Sequence, residues 1–230
     1  LGNNVVYAYS TDTTGTMTNN TKLNSTGNEN YGLYGAGEIN NYADIDFKTG
    51  YGNVGIYSSI DINTANTSHT KAVNHNGYKI EVGDSYIDPN GHSENNKYAL
   101  GMAAGYAHSA QDKINLNSSN PAVRNRVPRE TVGFAVNNGI INVNGEYSVG
   151  MYGAHAGSRV ENHGTINLNK SNTIGMFLDT GAYGYNYGTI QSNGTGLKNI
   201  VGIVVRNGET IENHGTIQIN ASNARGFISK

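Results

Sequence analysis

Val160-Glu161-Asn162-His163-Gly164-Thr165-Ile166-Asn167-Leu168 returns downstream as Ile211-Glu212-Asn213-His214-Gly215-Thr216-Ile217-Gln218-Ile219. A shorter copy, Asn186-Tyr187-Gly188-Thr189-Ile190, lies between them. After the Asn-x-Gly, apolar and polar residues alternate, as in a half-buried strand, and the Asn-x-Gly itself reads as a turn. Weaker copies are Asn137-Asn138-Gly139-Ile140-Ile141-Asn142-Val143 and Ile39-Asn40-Asn41-Tyr42-Ala43-Asp44-Ile45-Asp46-Phe47, and looser ones end at Leu23, Ile80 and Ile114.

A second motif, apolar-Gly-apolar-apolar, alternates with the first. It reads Val149-Gly150-Met151-Tyr152, Ile174-Gly175-Met176-Phe177 and Val201-Gly202-Ile203-Val204, with further copies centred on Gly32, Gly55, Gly101, Gly133 and Gly226. Pairing Leu23 with Gly32, Ile45 with Gly55, Ile80 with Gly101, Ile114 with Gly133 and so on to Ile217 with Gly226 predicts eight units. Their undisturbed period is about 22–27 residues. Short strands and Asn/Gly corners at that period describe one coil of a parallel β-helix; a propeller blade needs about 40 residues, and the leucine-rich signature is missing.

The expected fold is therefore all-β, a single β-helix over residues 1–230. Neither end carries a capping helix or charged cover, so the chain reads as an excerpt of a longer solenoid. Ile45, Ile80, Ile114, Ile141, Ile166, Ile190 and Ile217 are expected to stack at about 4.8 Å as an internal ladder. Asn41, Asn137, Asn162, Asn186 and Asn213 are expected to stack as hydrogen-bonded amides at a corner. The Gly after each Asn is expected to take the corner's unusual dihedrals, and the Gly inside the second motif to permit tight packing.

Composition agrees with frequent turning: 36 Asn and 31 Gly in 230 residues. With Lys+Arg 15 against Asp+Glu 17, the net charge of -2 argues against a nucleic-acid partner. No cysteine is present, which excludes disulfides and thiolate metal sites. No apolar run of about 18 residues can span a membrane as a helix. There is no phosphate-binding loop and no nucleophile elbow.

The quoted phrases, with Ser148-Val149-Gly150-Met151-Tyr152, resemble the passenger repeats of the large fusobacterial type V autotransporter adhesins. The resemblance is close from about Val132 onward and looser before. It implies a right-handed parallel β-helix displayed on the outer surface of the cell. It also implies adhesion to host cells or other bacteria through a protein or glycan receptor. The signal peptide and the outer-membrane barrel of such proteins would lie outside this sequence, so contact with the outer membrane would run only through that barrel. The chain is expected to act as a monomer, without enzymatic activity, cofactor or metal.

Departures from the period are where binding would sit. Insertions are expected at 83–98, 118–130 and about 60–76, the first two in the same corner of consecutive units and so neighbours on one face. The first offers Asp84, Tyr86, Asp88, Asn90, His92 and Glu94; the second offers Arg124, Arg126 and Arg129. Tyr stacks on a sugar or peptide, Asp and Asn bond hydroxyls, and Arg clamps carboxylates. Alternatively the acidic and basic loops pair with each other. A carbohydrate-active β-helix enzyme would instead use outward carboxylates and bases, for which Asp44 beside Lys79 and Asp46 beside Glu81 are the candidates. A calcium site from Asp44, Asp46 and Glu81 is a further option, as is a weak loop pattern over Asp84, Asp88 and Asn90. His163 and His214 read as corner surface residues, and His92, His108 and His155 stand alone. A third possibility is a purely structural spacer.

Overall fold

The computed structural model describes residues 2–64, 69–207 and 210–229. Three parallel sheets run along a common axis, and the chain visits them in turn, one strand of each per coil. Sheet 1 has eight strands: β1 (Val6–Ser10), β4 (Tyr31–Gly35), β7 (Val54–Ser58), β11 (Leu100–Ala104), β15 (Val149–Ala154), β18 (Ile174–Asp179), β21 (Val201–Arg206) and β24 (Arg225–Ser229). Sheet 2 has seven: β2 (Thr16–Asn19), β5 (Glu38–Asn41), β9 (Lys71–Asn74), β13 (Phe134–Asn137), β16 (Arg159–Asn162), β19 (Tyr183–Asn186) and β22 (Thr210–Asn213). Sheet 3 also has seven: β3 (Leu23–Asn24), β6 (Ile45–Tyr51), β10 (Lys79–Asp84), β14 (Ile140–Val143), β17 (Thr165–Leu168), β20 (Thr189–Ser192) and β23 (Thr216–Gln218). The chain is thus a parallel β-helix of seven coils with the first strand of an eighth.

Each sheet contributes an apolar stripe to the core. In sheet 3 the rungs are Leu23, Ile45, Ile80, Ile141, Ile166, Ile190 and Ile217, aligned residue on residue. In sheet 1 they are Ala8, Leu33, Ile56, Met102, Met151, Met176, Ile203 and Phe227. The Gly of the second motif lies across the core from the isoleucine rung of its own coil. A Cβ on Gly150 would come 2.6 Å from Ile166 Cγ2, and one on Gly175 2.6 Å from Ile190 Cγ2. The expected role of close packing holds.

The amide ladder is longer than the sequence suggests. Asn19, Asn41, Asn74, Asn137, Asn162, Asn186 and Asn213 each pass a hydrogen bond from Nδ2 to Oδ1 of the next, at 2.6–3.0 Å. Every member but Asn213 is buried. Here a side chain satisfies its neighbour as backbone groups do within a sheet. The glycines two residues after these asparagines do not take unusual dihedrals: Gly139, Gly164, Gly188 and Gly215 are absent from the positive-φ positions. They are glycine because a Cβ there would strike the carbonyl oxygen of the coil below, as at Gly164 over Gly139 and at Gly188 over Gly164.

Two assignments change. Ile114 is no rung: it lies in helix α1 (Ala110–Leu116), 64% exposed. Ser109 Oγ accepts from Asp112 N at 3.1 Å and Asp112 Oδ2 accepts from Ser109 N at 2.9 Å. This capping box starts a helix where Ile114-Asn115-Leu116 imitates strand alternation. Gly133 likewise stands outside sheet 1, at the entrance to β13. The unit built on Ile114 and Gly133 therefore dissolves into one long insertion within the fourth coil.

Candidate functional site

The first insertion leaves sheet 3 at Asp84 and reaches sheet 1 at Leu100. Asp84 Oδ1 accepts from Glu146 N at 2.7 Å, which ties the corner to the next coil. Tyr86 and Lys97 pair as an antiparallel bridge, and the Tyr86 ring lies 5.4 Å from Tyr51. Asp88 accepts from Asn90 N at 2.8 Å, Asn90 Nδ2 at 3.1 Å and Asn95 Nδ2 at 2.7 Å. Hydrogen bonds from Asn95 and then Asn90 hold its carboxyl below the usual range. Asp88 and Asn90 are therefore internal struts of the loop. His92 and Glu94 face each other at 3.5 Å on an exposed 3-10 turn at Ser93–Asn95.

The second insertion occupies a different corner. It leaves sheet 1 after Ala104 and enters sheet 2 at Phe134, carrying α1 and α2 (Pro121–Arg124). It does not share a corner with the first; the two flank opposite ends of β11. The insertion over 60–76 does share its corner, since it lies between sheets 1 and 2 in the coil below; residues 65–68 of it lie outside the described residues. These two are zipped together. β8 (Ile60–Asp61) pairs antiparallel with β12 (Thr131–Val132), Ser59 Oγ donates to Thr131 Oγ1 at 2.9 Å, and Arg129 Nη1 donates to Asp61 Oδ2 at 2.8 Å.

The pairing of an acidic with a basic loop is thus misplaced. Among the described residues no ion pair joins 83–98 to 118–130; Arg129 takes Asp61, and Arg124 donates to Ser118 O at 3.2 Å. Arg126, just after α2, is exposed. His108 and His155 do not stand alone either. They approach the two oxygens of Glu130 at 3.5 and 3.6 Å, and Glu130 Oε1 also accepts from His108 N at 2.9 Å.

Between the two insertions lies a face that the sequence reading passed over: the outside of sheet 1. Tyr9, Tyr34 and Tyr57 occupy equivalent positions in coils one to three, and Tyr152 and Phe177 continue the row in coils five and six. Ring centroids are 5.3 Å apart for Tyr9–Tyr34, 5.2 Å for Tyr34–Tyr57 and 5.9 Å for Tyr152–Phe177, within the range of favourable aromatic contacts. In coil four the row holds Ala103. There a cavity of about 420 Å³ opens, lined by Tyr31, Tyr57, Tyr98, Ala103, Tyr106 and Tyr152, with Asn4, Glu29, Asn96 and Lys97 among its polar groups. Tyr98 comes from the first insertion and Tyr106 from the second, so both loops wall it. Its size falls within the range typical of small-ligand sites.

Two of the phenols are held in place by hydrogen bonds. Tyr57 Oη donates to Gly105 O at 3.0 Å and Tyr106 Oη to Asp112 Oδ2 at 2.6 Å. Burial raises Tyr31 and Tyr57, and burial with the Asp112 hydrogen bond raises Tyr106. Tyr152 is pushed up to about 12 by burial and by the charge of Asp179. The cavity therefore presents neutral ring faces and hydroxyls.

No family model, curated protein or solved structure matches the chain.

The acidic cluster on sheet 3 is self-neutralised. Asp46 and Glu81 are register partners, as expected, but Lys48 Nζ lies 3.1 Å from Asp46 and 3.7 Å from Glu81, while Lys79 Nζ lies 3.9 Å from Asp44. Burial works to raise Asp46, but the Lys48 hydrogen bond prevails and holds it low. Among the described residues no three His, Cys, Asp or Glu are grouped to hold a metal ion, and no helix is long and apolar enough to cross a membrane. His163 and His214 are rungs of an outer stack with Tyr187 between them, at 4.8 and 5.2 Å.

Proposed function

We propose that this chain is the rod of a surface-displayed bacterial adhesin, presenting one face of its β-helix to host cells or other bacteria. The supporting observation is the contrast between scaffold and face. Around the coils, amides and apolar rungs are matched within the chain. On sheet 1 the two insertions instead wall an open cavity lined by five tyrosines and Ala103. Tyrosine offers a large rigid contact surface with a polar handle, the side chain most used at recognition surfaces. A pure spacer has no need of such a face, and the sheet 3 acids, already paired with lysine, favour an enzyme no better. The reading carries with it the outer-surface location and the type V export route that the repeat phrases suggest.

Beads coated with the chain should adhere to epithelial cells or to bacteria, and beads coated with a variant lacking 86–97 and 107–129 should adhere at least about fivefold less. Equal adhesion by both would take binding away from the two insertions, and no adhesion by either would leave only the spacer reading.

A further inference from the structure

Three side chains meet where the long insertion leaves and rejoins the coils: His108, Glu130 and His155, only 15%, 25% and 20% exposed. His108 Nδ1 lies 3.5 Å from Glu130 Oε1, and His155 Nε2 lies 3.6 Å from Glu130 Oε2. The other nitrogen of each ring is already committed. His108 Nε2 lies 2.7 Å from Pro128 O, and His155 Nδ1 lies 2.7 Å from Ala156 O. A carbonyl oxygen only accepts, so those two nitrogens carry the proton of a neutral imidazole. In its neutral form each ring therefore turns a lone pair, not an N–H, toward the carboxylate. A second proton on either ring converts that opposition into a charge-assisted hydrogen bond, the stronger and shorter kind. His155 also sits at φ 78, in a region that glycine and asparagine occupy most readily, and Ser158 N closes the turn on His155 O at 3.0 Å. A histidine held in that conformation points to a use for its ring.

We propose that this cluster is a proton-operated latch, which fastens the insertion to the β-helix as the two histidines gain charge. The insertion has little else to hold it closed. Helices α1 and α2 bury no residue, and the neck of the excursion rests on the Tyr106–Thr131 bridge and the β8–β12 zipper. The other charged groups around the latch are engaged elsewhere. Arg129, beside Glu130, pairs with Asp61. Asp112, on the helix that follows His108, accepts from Tyr106 Oη, Ser109 N and Ser109 Oγ. Asp179, the register partner of Ala154, is taken by Arg206 and Asn207. Tyr106, whose ring lies 6.0 Å from that of His108, is kept neutral by burial and by the Asp112 hydrogen bond. That leaves Glu130 facing both rings. A proton that binds the fastened insertion better than the open one favours the fastened form as pH falls. Histidine gains its charge between about pH 8 and pH 5, where carboxylates keep theirs, so the latch closes within that window.

The test is amide exchange of the whole chain between about pH 7.5 and about pH 5.5, expressed as protection so that the intrinsic pH dependence of exchange drops out. The expected result in the parent is a rise of at least about fivefold in protection over 107–129 on acidification, with β16 and β17 within about twofold. Glu130→Gln keeps an acceptor for His108 N but carries no charge, and its protection should stay flat within about twofold. His155→Asn suits the left-handed turn and removes one ring; it should rise about half as far as the parent on a logarithmic scale. No rise in the parent, or an equal rise in Glu130→Gln, overturns the inference. If Glu130→Gln does not fold, the double variant His108→Gln, His155→Asn carries the test: a flat response supports the latch, and a rise equal to the parent's overturns it.

Discussion

Asn162 donates from Nδ2 to Oδ1 of Asn186 at 2.8 Å, while its own Oδ1 accepts from Asn137 Nδ2 at 2.9 Å. Each buried amide in the corner thus depends on its neighbours one coil away for one donor and one acceptor, and its second N–H turns to a backbone carbonyl, as from Asn137 Nδ2 to Gly139 O at 3.2 Å. Replacing Asn162 with Leu strands a donor on Asn137 and an acceptor on Asn186. At about 1–3 kcal/mol for each buried group left unpaired, the loss should be about 2–6 kcal/mol. Asn213→Ala, at the exposed end of the ladder, should cost at most about 1.5 kcal/mol. Urea midpoints at unchanged m-values measure both. Equal losses at the two sites would mean that the ladder follows the coil geometry rather than supporting it.

Close approach of Gly175 to Ile190 gives a second test, by coupling. A Cβ at 175 would lie 2.6 Å from Ile190 Cγ2 and 2.5 Å from Gly202 O. Gly175→Ala should therefore cost about 1–3 kcal/mol by overpacking. Ile190→Ala removes the offending methyl, so Gly175→Ala should cost less in that background, leaving the backbone contact as the residue of the penalty. A double-mutant cycle with zero coupling would locate the whole cost in the backbone.

The coil was legible because its signals are local and recur: the Asn-x-Gly corner, the alternating strand and the Gly opposite the isoleucine. Asn19 escaped notice because its unit lacks the Gly, and Asn74 because six residues rather than four separate it from its Ile80 rung. Ile114 misled because three residues cannot distinguish a strand from a capped helix. Only Ser109 and Asp112, spaced as a capping box, carried the distinguishing signal. The tyrosine face was not legible at all. Tyr57, Ala103 and Tyr152 become neighbours only through register across insertions of different lengths, so the cavity is a property of stacking that no window of sequence contains. The charged loop residues that stand out in the sequence, such as Asp88 and Arg129, hold the loops together.

Acid sensitivity should trace in part to Asp179. Arg206 Nε donates to its Oδ1 at 3.0 Å, Arg206 Nη2 reaches Oδ2, and Asn207 Nδ2 donates at 3.1 Å. Burial pushes the carboxyl up, but the arginine outweighs it and holds the folded value below the ordinary one. A lowered folded pKa stabilises fully above the unfolded value and is lost as pH falls through the folded one. Asp179→Asn should therefore cost about 1–2 kcal/mol at pH 7, allowing for the half-exposed guanidinium. The gap to the parent should persist down to about pH 4 and close below it. Urea midpoints from pH 7 to pH 3 decide; a gap that widens on acidification contradicts the assignment.

Glu130 is the clasp of the long insertion. Its carboxylate accepts from His108 N at 2.9 Å at the start of the excursion and faces His155 of the next coil at 3.6 Å, while Glu130 itself stands at the excursion's end. Three separate chain segments thus meet on one side chain, at a point where α1 and α2 contribute no buried residue of their own. Without apolar burial, the local stability of 106–130 must come from such polar contacts. Removing two or three of them in Glu130→Ala should lower the opening free energy of the insertion by about 1–3 kcal/mol. That raises amide exchange in 106–130 roughly 5- to 150-fold at neutral pH. Exchange in β15, β16 and β17 should stay within about twofold of the parent, because those strands are held by apolar rungs and their own ladders. Glu130→Gln can still accept from His108 N and should recover part of the protection. Increased exchange throughout coil five would instead make Glu130 part of the core, and unchanged exchange in the insertion would place its anchor at the β8–β12 zipper.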